Sequence, residues 1–257
     1  MKKQALFTIL LTLAFAFQNA YANLSVSSFY VFFDANAPKR TDTIRLTNST
    51  NQRKTYRLKL VNFKQNKNGS YTPIEKALPG NPFAAPYIGF SPHETTLEPG
   101  QSQTVRLIRK PMAAAADGEY VSHLFMQELP EKRQNRPQND AQQITIDIKA
   151  LYGLTIPVII DKGNLSSSAK ITDIAIKNNA AKPYIEATVK RSGNRSFWGN
   201  LIVTKNGKEI GRVNGFKIFM TTPERQIQIP LTEKMTSSGR ITLEDARTNA
   251  VITSKNL

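Results

Sequence analysis

Tyr56-Arg57-Leu58-Lys59-Leu60 alternates apolar and cationic side chains without a break. Successive side chains of a strand point to opposite faces, so Tyr56, Leu58 and Leu60 face a core while Arg57 and Lys59 face water. The run continues into Val61–Phe63, and Asn68-Gly69 then predicts a tight hairpin turn before Tyr71. The same habit spreads outward. Leu24–Phe33 is rich in Val, Phe and Tyr, and Ile44-Arg45-Leu46 alternates. Pro99-Gly100 marks a turn before Thr104-Val105-Arg106-Leu107-Ile108, and Glu119–Leu129 and Ile144–Ile160 follow as longer strands. Beyond them, Ile171–Ile176, Tyr184–Val189, Leu201–Thr204, Gly215–Phe219, Gln226–Ile229 and Ile241–Leu243 read as short strands, with a second hairpin turn at Asn206-Gly207. No segment sustains a 3.6-residue apolar period. Ala113–Ala116, bracketed by Pro111 and Gly118, reads as loop.

Short strands at regular spacing predict an all-β chain of two immunoglobulin-like β-sandwich domains set at an angle. A break rich in Gly, Asn and Ser, Asp161-Lys162-Gly163-Asn164 followed by Ser166-Ser167-Ser168, places one sandwich over 23–160 and the other over 164–257. Residues 1–22 stand apart. Lys2 and Lys3 precede the apolar run Ala5–Phe17, and Ala20-Tyr21-Ala22 supplies a small-x-small site, which together predict a secretory signal peptide cut after Ala22. The run of 13 residues is too short to span a bilayer. No second run of that length exists, so the mature chain is expected to carry no transmembrane segment.

Composition excludes much chemistry. There is no Cys, which removes disulfides, thiolate metal sites and a Cys nucleophile. Two histidines, His93 and His123, make a multi-histidine metal site improbable, and no cofactor is expected. Ser122 and His123 are strand neighbours pointing to opposite faces, so they form no catalytic couple with each other. No nucleophile elbow or phosphate-cradling loop is present. The chain reads as a non-enzyme. Losing the leader takes two lysines and no acid, so the net charge falls from +16 to +14. A basic exported protein meets acidic proteins or an anionic envelope surface more often than nucleic acid. The interleaving Lys54-Tyr56-Arg57-Lys59 is accordingly a solvated strand face rather than a nucleic-acid site.

Glu131–Gln143 holds no apolar residue larger than Ala141 and reads as an exposed, mobile loop. It leads into Ile144-Thr145-Ile146-Asp147-Ile148-Lys149, which places its three isoleucines on one face and Thr145, Asp147 and Lys149 on the other. Two readings are open. The isoleucines are the core side of an ordinary sandwich strand, or the strand lies at an edge and lends them to another chain, with Asp147 and Lys149 guarding against promiscuous pairing. Spacing alone does not separate them.

Four further stretches carry a resemblance. Tyr30 to Asn48 resembles the first hairpin of the periplasmic pilus-assembly chaperones of the chaperone–usher system, ending in Leu46-Thr47-Asn48. Leu97-Glu98-Pro99-Gly100-Gln101-Ser102-Gln103-Thr104-Val105-Arg106 resembles a second family stretch, and Asp117-Gly118-Glu119-Tyr120-Val121-Ser122-His123-Leu124 a third. Arg191-Ser192-Gly193-Asn194-Arg195-Ser196-Phe197-Trp198-Gly199 resembles a turn of the family's second domain. The last two resemble the archaic or alternative subfamily. The resemblance implies donor-strand complementation, in which the chaperone's edge strand completes a pilus subunit that lacks its last strand. It promotes Ile144, Ile146 and Ile148 to donor residues of a strand Ile144–Tyr152.

The resemblance also implies a cationic anchor for the subunit's C-terminal carboxylate in the interdomain cleft. Matching Phe33-Asp34 and Pro157 to the family places Tyr30 and Tyr152 or Gly153 at the anchor positions, so neither family cation is present. Lys149, Arg106 and Arg109 are substitutes on chemical grounds, with solvated strand-face cations as the competing reading. The expected function is that of a periplasmic chaperone that binds, folds and caps pilus or fimbrial subunits and delivers them to an outer-membrane usher. When unloaded, the donor edge is open to self-association. The alternative is a secreted immunoglobulin-like pilus subunit or adhesion module.

Overall fold

The computed structural model describes residues 23–75, 82–130, 151–178, 182–236 and 238–257. The leader, the polar stretch Glu131–Gln143 and the proposed donor residues Ile144, Ile146, Ile148 and Lys149 lie outside them.

Among the described residues ten strands build the first half: β1 (Leu24–Val26), β2 (Val31–Asp34), β3 (Thr41–Asn48), β4 (Lys54–Gln65), β5 (Tyr71–Ile74), β6 (Ile88–Ser91), β7 (Glu94–Leu97), β8 (Ser102–Arg109), β9 (Gly118–Glu128) and β10 (Gly153–Lys162). One sheet runs β1-β3-β8-β6; the other runs β2-β10-β9-β4-β5, with β7 also on β4. Their inner faces share one core, in which Ile44, Leu46, Val105 and Leu107 meet Leu58, Leu124, Met126, Ile156 and Val158. The alternation read in Tyr56–Leu60 is realised on β4: Tyr56 and Leu58 are buried, Arg57 and Lys59 exposed.

Seven strands among the described residues build the second half: β11 (Ser167–Lys177), β12 (Tyr184–Gly193), β13 (Phe197–Lys205), β14 (Lys208–Ile218), β15 (Glu224–Pro230), β16 (Gly239–Asp245) and β17 (Val251–Asn256). The sheets β11-β12-β15 and β14-β13-β16-β17 enclose a separate core around Ile185, Val189, Phe197, Leu201, Ile218, Ile229 and Leu243. The one helical element among the described residues is a 3-10 turn at Ala85–Tyr87.

Both Asn-Gly turns close hairpins. Asn206 and Gly207 adopt left-handed backbone with φ of 51° and 79°, the twist that matches the flanking strands β13 and β14. The single apolar stretch Leu24–Phe33 is a correction: it splits into β1 and β2, which belong to opposite sheets. At the crossing, the Ser28 hydroxyl donates to the Tyr30 carbonyl, a local bond that diverts the chain from continuous pairing.

Asn48, at the end of the first hairpin, is fully buried. Its amide donates to the carbonyls of Gln52 and Leu97, at 2.7 and 2.9 Å, and its oxygen accepts from the Thr50 backbone N–H and hydroxyl. A buried amide with both ends satisfied ties the β3–β4 turn to β7.

Candidate functional site

Two features of the structure are open to a partner: a strand edge in the first sandwich and a cleft where the sandwiches meet.

The edge belongs to β10. This strand pairs with β9 along its whole length, Gly153 to Lys162. Its other side pairs with β2 over Val158–Asp161 alone. Among the described residues no strand covers the β2 side of residues 153–157, so their outward backbone groups are available for pairing. Leu151 and Tyr152, just ahead of this edge, are exposed, as are Phe29, Tyr30 and Phe32 on and before β2. In sequence, residues 144–150 immediately precede Leu151 and Tyr152.

The cleft is assembled by the domain junction. Glu119 at the start of β9 is 3% exposed, and a carboxylate so placed needs donors. The Ser196 hydroxyl supplies one and the Ser196 backbone N–H a second at 3.4 Å. Arg195 reaches back to β10, its Nη2 lying 2.8 Å from Asp161 Oδ2, with its Nε 3.9 Å from Glu119. Asn194 completes the join: its carbonyl accepts from Glu119 N–H, and its amide donates to the Asp117 and Asn164 carbonyls. Gly193 and Gly163 hold positive φ here, which lets the two chain segments approach closely.

A second contact joins the domains on the far side of the interface. The β4–β5 hairpin leans on the second sandwich, where the buried Gln65 donates to the Lys217 carbonyl at 3.1 Å and accepts from Phe219 N–H at 2.9 Å. Beside this contact, sharing Phe219 with it, lies a cavity of about 10 Å³ lined also by Phe63, Tyr71 and His123. His123 packs edge-on against Phe63, and its Nδ1 is buried without a hydrogen-bond partner. Burial lowers its pKa to about 4. Ser122 points to the opposite face and donates to Asn62 at 2.7 Å, as strand alternation requires.

The cleft itself has a volume of about 270 Å³ and is lined by Tyr30, Phe32, Ile159 and Trp198, with Glu119, Arg195 and Arg247 as its charged groups. Lys217 lies 3.8 Å and Arg247 4.9 Å from the centroid of the Trp198 ring. Arg247 also donates to the Ser196 carbonyl at 2.9 Å. Burial lowers the pKa of Arg247, and the neighbouring Arg195 lowers it further. Asp161, behind Arg195, is pushed up to about 6 by burial, against the pull of Arg195.

The two described residues chosen from sequence as cationic substitutes lie elsewhere. Arg106 is exposed on β8, opposite Thr43 and Ser91 on the outer face of the first sheet. Arg109 is buried at the end of the same strand and donates to the Ala37 carbonyl at 3.3 Å. Neither lines the cleft that Tyr30 lines. The cations that do, Arg195 and Arg247, come from the second domain. Arg195 was in view in the sequence, inside the Arg191–Gly199 turn, but nothing in its spacing points to the first domain. Arg247 follows the Asp245-Ala246 turn and carries no local signal at all.

Residues 30–156 match the family model described as pili and flagellar-assembly chaperone, PapD N-terminal domain. No curated protein matches the sequence. Among solved structures, the YadV chaperone is 14% identical, with 92% of this chain and 100% of that chain covered and a TM-score of 0.48. The Pseudomonas aeruginosa CupB2 chaperone is 11% identical, covering 90% and 98% with a TM-score of 0.47. The CsuC–CsuE chaperone–tip adhesion subunit pre-assembly complex, from archaic chaperone-usher Csu pili of Acinetobacter baumannii, is 12% identical, covering 92% and 97% with a TM-score of 0.47.

Proposed function

Residues 30–156 of this chain belong to the pili and flagellar-assembly chaperones, as their N-terminal domain, and from that premise we propose that the protein captures pilus or fimbrial subunits by donor-strand complementation and hands them to an outer-membrane usher. The observation that carries the reading is the open edge of β10 at residues 153–157, continuous in sequence with Ile144–Lys149. An extended edge offers main-chain hydrogen bonds to an incoming strand, and alternate apolar side chains provide specificity. Ile144, Ile146 and Ile148 are the donors. Burying each in a subunit groove would contribute roughly 1.5–3 kcal/mol.

The rest of the reading follows the same premise. The leader 1–22 exports the chain to the periplasm, with cleavage after Ala22. With domain limits of 23–160 and 164–257, β10 belongs to the first sandwich and runs two residues past the limit, to Lys162. The donor edge, when unloaded, pairs with a second copy. No catalysis, cofactor, metal or nucleic acid enters the mechanism. Among the described residues no helix is long and apolar enough to cross a membrane. The subunit's terminal carboxylate enters the interdomain cleft, where Arg195 and Arg247 stand beside Tyr30; Lys149, Arg106 and Arg109 remain secondary candidates for that contact.

Co-expression of Ile146→Asp with a pilus subunit tests the reading. The variant is expected to stay folded by circular dichroism and to recover no subunit from periplasm. Full recovery, or unfolding of the variant alone, would show that these isoleucines are not donors.

A further inference from the structure

We propose that Asp161 gates the interdomain cleft: while ionised it holds the Arg195 guanidinium, and once protonated it releases Arg195 to an anionic ligand bound in the cleft. This deepens the proposed function by giving the cleft a regulator, and its test uses no subunit.

The cleft favours a carboxylate attached to an apolar group. Tyr30, Phe32, Ile159 and Trp198 supply apolar wall, while Arg195 and Arg247 supply donors in a space of about 270 Å³. Arg195 already has an internal partner, and this is what limits it. Its Nη2 sits 2.8 Å from Asp161 Oδ2, its Nε makes no hydrogen bond, and Glu119 is 3.9 Å away. Glu119 is engaged by two donors from Ser196, so it competes weakly for the guanidinium. Asp161 is the opposite case. It is 7% exposed, its Oδ1 has no hydrogen-bond partner, and its Oδ2 pairs with Arg195. A buried carboxylate held by one charge and hydrogen-bonded on one oxygen is close to the point where neutralisation is preferred.

The charged groups facing Asp161 agree with this. Arg195, from the turn between β12 and β13, and Arg247, from the turn between β16 and β17, favour its ionised form; Glu119 on β9 and Asp34 on β2 oppose it. The next residue of β10, Lys162, directs its ammonium to the Ala115 carbonyl and Asp117 instead. Burial outweighs the cations and raises the Asp161 pKa to about 6. Protonating Asp161 removes one negative charge from behind Arg195 and so leaves the cleft more positive. By linkage, an anion that binds the released form must bind more tightly as pH falls through the Asp161 titration.

The test uses N-acetyl-phenylalanine as the anionic probe, N-acetyl-phenylalaninamide as the uncharged control, and Trp198, the chain's one tryptophan, as the fluorescent reporter in the cleft wall. The probe's α-carboxyl, with a pKa of roughly 3.5, stays ionised across the range. Between pH 7.5 and 5, binding of the acid to the mature protein is expected to tighten about tenfold with a midpoint near 6, while the amide shows no change. Asp161→Asn should bind the acid at pH 7.5 as tightly as the parent does at pH 5, with no pH dependence. Should that variant fail to fold, the parent's comparison of acid and amide still decides. Equal affinity at both pH values, equal binding of the amide, or a pH response surviving in Asp161→Asn would each overturn the proposal. Failure here with normal subunit capture removes the gate and leaves the chaperone reading standing.

Discussion

The Ser196 hydroxyl, in the second domain, donates to the Glu119 carboxylate at the start of β9, joining residues 77 positions apart at a point where Ser196 is wholly buried. The pair lies at the centre of the junction, with Asn194, Arg195 and Asp161 around it. It is therefore the place where the attachment of the two sandwiches is most exposed to a single substitution.

Ser196→Ala removes one donor from a buried carboxylate. A hydrogen bond to a charged group contributes about 1.5–3 kcal/mol. Urea unfolding should show a loss of that size. An unchanged midpoint would mean that Glu119 is satisfied without Ser196.

Gly193→Ala should be more damaging than Gly207→Ala, although both glycines hold positive φ, at 93° and 79°. A Cβ on Gly193 would collide with the Ser166 carbonyl, which is backbone and cannot swing aside, whereas a Cβ on Gly207 meets nothing within 4 Å. The left-handed strain is common to both at about 1 kcal/mol, so any excess loss of thermal stability in Gly193→Ala measures the collision. Equal losses would place no close approach at the junction.

Two buried groups should work against each other in acid. Asp161 has its folded pKa raised from 3.8 to about 6, so the folded state binds more protons there and gains stability as pH falls from about 6 towards 4. His123 has its folded pKa lowered from 6.5 to about 4, so its contribution is present above 6.5 and is lost as pH falls towards 4. Their opposite slopes should partly cancel in the parent between pH 4 and 6. His123→Phe, which keeps the ring against Phe63, should gain stability as pH drops through that window, and Asp161→Asn should lose it. Denaturation midpoints at half-unit intervals would check both; parallel curves for the two variants would contradict the assignment.

Arg247→Ala should weaken subunit capture by about tenfold or more, equivalent to ~1.4 kcal/mol. Arg106→Ala, on the exposed outer face of β8, should leave capture within about threefold. Surface plasmon resonance with an immobilised subunit distinguishes them. The reverse ranking would return the carboxylate anchor to the first domain.

The pattern of strands was legible because it is local. Tyr56–Leu60 reveals its buried face by period two, and Asn206-Gly207 reveals its turn by the backbone each residue tolerates. Short strands escaped for the same reason: β6 and β7 span four residues, too few to display a period, and β17 fully buries none of its six. The split of Leu24–Phe33 escaped because apolar content does not say which sheet a strand joins. The cleft was the least legible feature. Arg247, Arg195, Trp198 and Tyr30 become neighbours through the docking of two finished domains, and no spacing along the chain encodes that meeting. The motifs Asp117–Leu124 and Arg191–Gly199 were each visible, but their mutual contact was not.

The junction also imposes an order of events on the newly made chain. Glu119 waits for Ser196, and Gln65 waits for Lys217 and Phe219, the latter partners lying 152 and 154 positions away. Contacts of such separation form late, since loop closure must be met before they reward it. Each sandwich has its own core and can collapse alone, but the carboxylate of Glu119 and the amide of Gln65 stay hydrated until both are complete. Assembly of the cleft then follows the collapse of both sandwiches, so a molecule with one misfolded half has no cleft to offer.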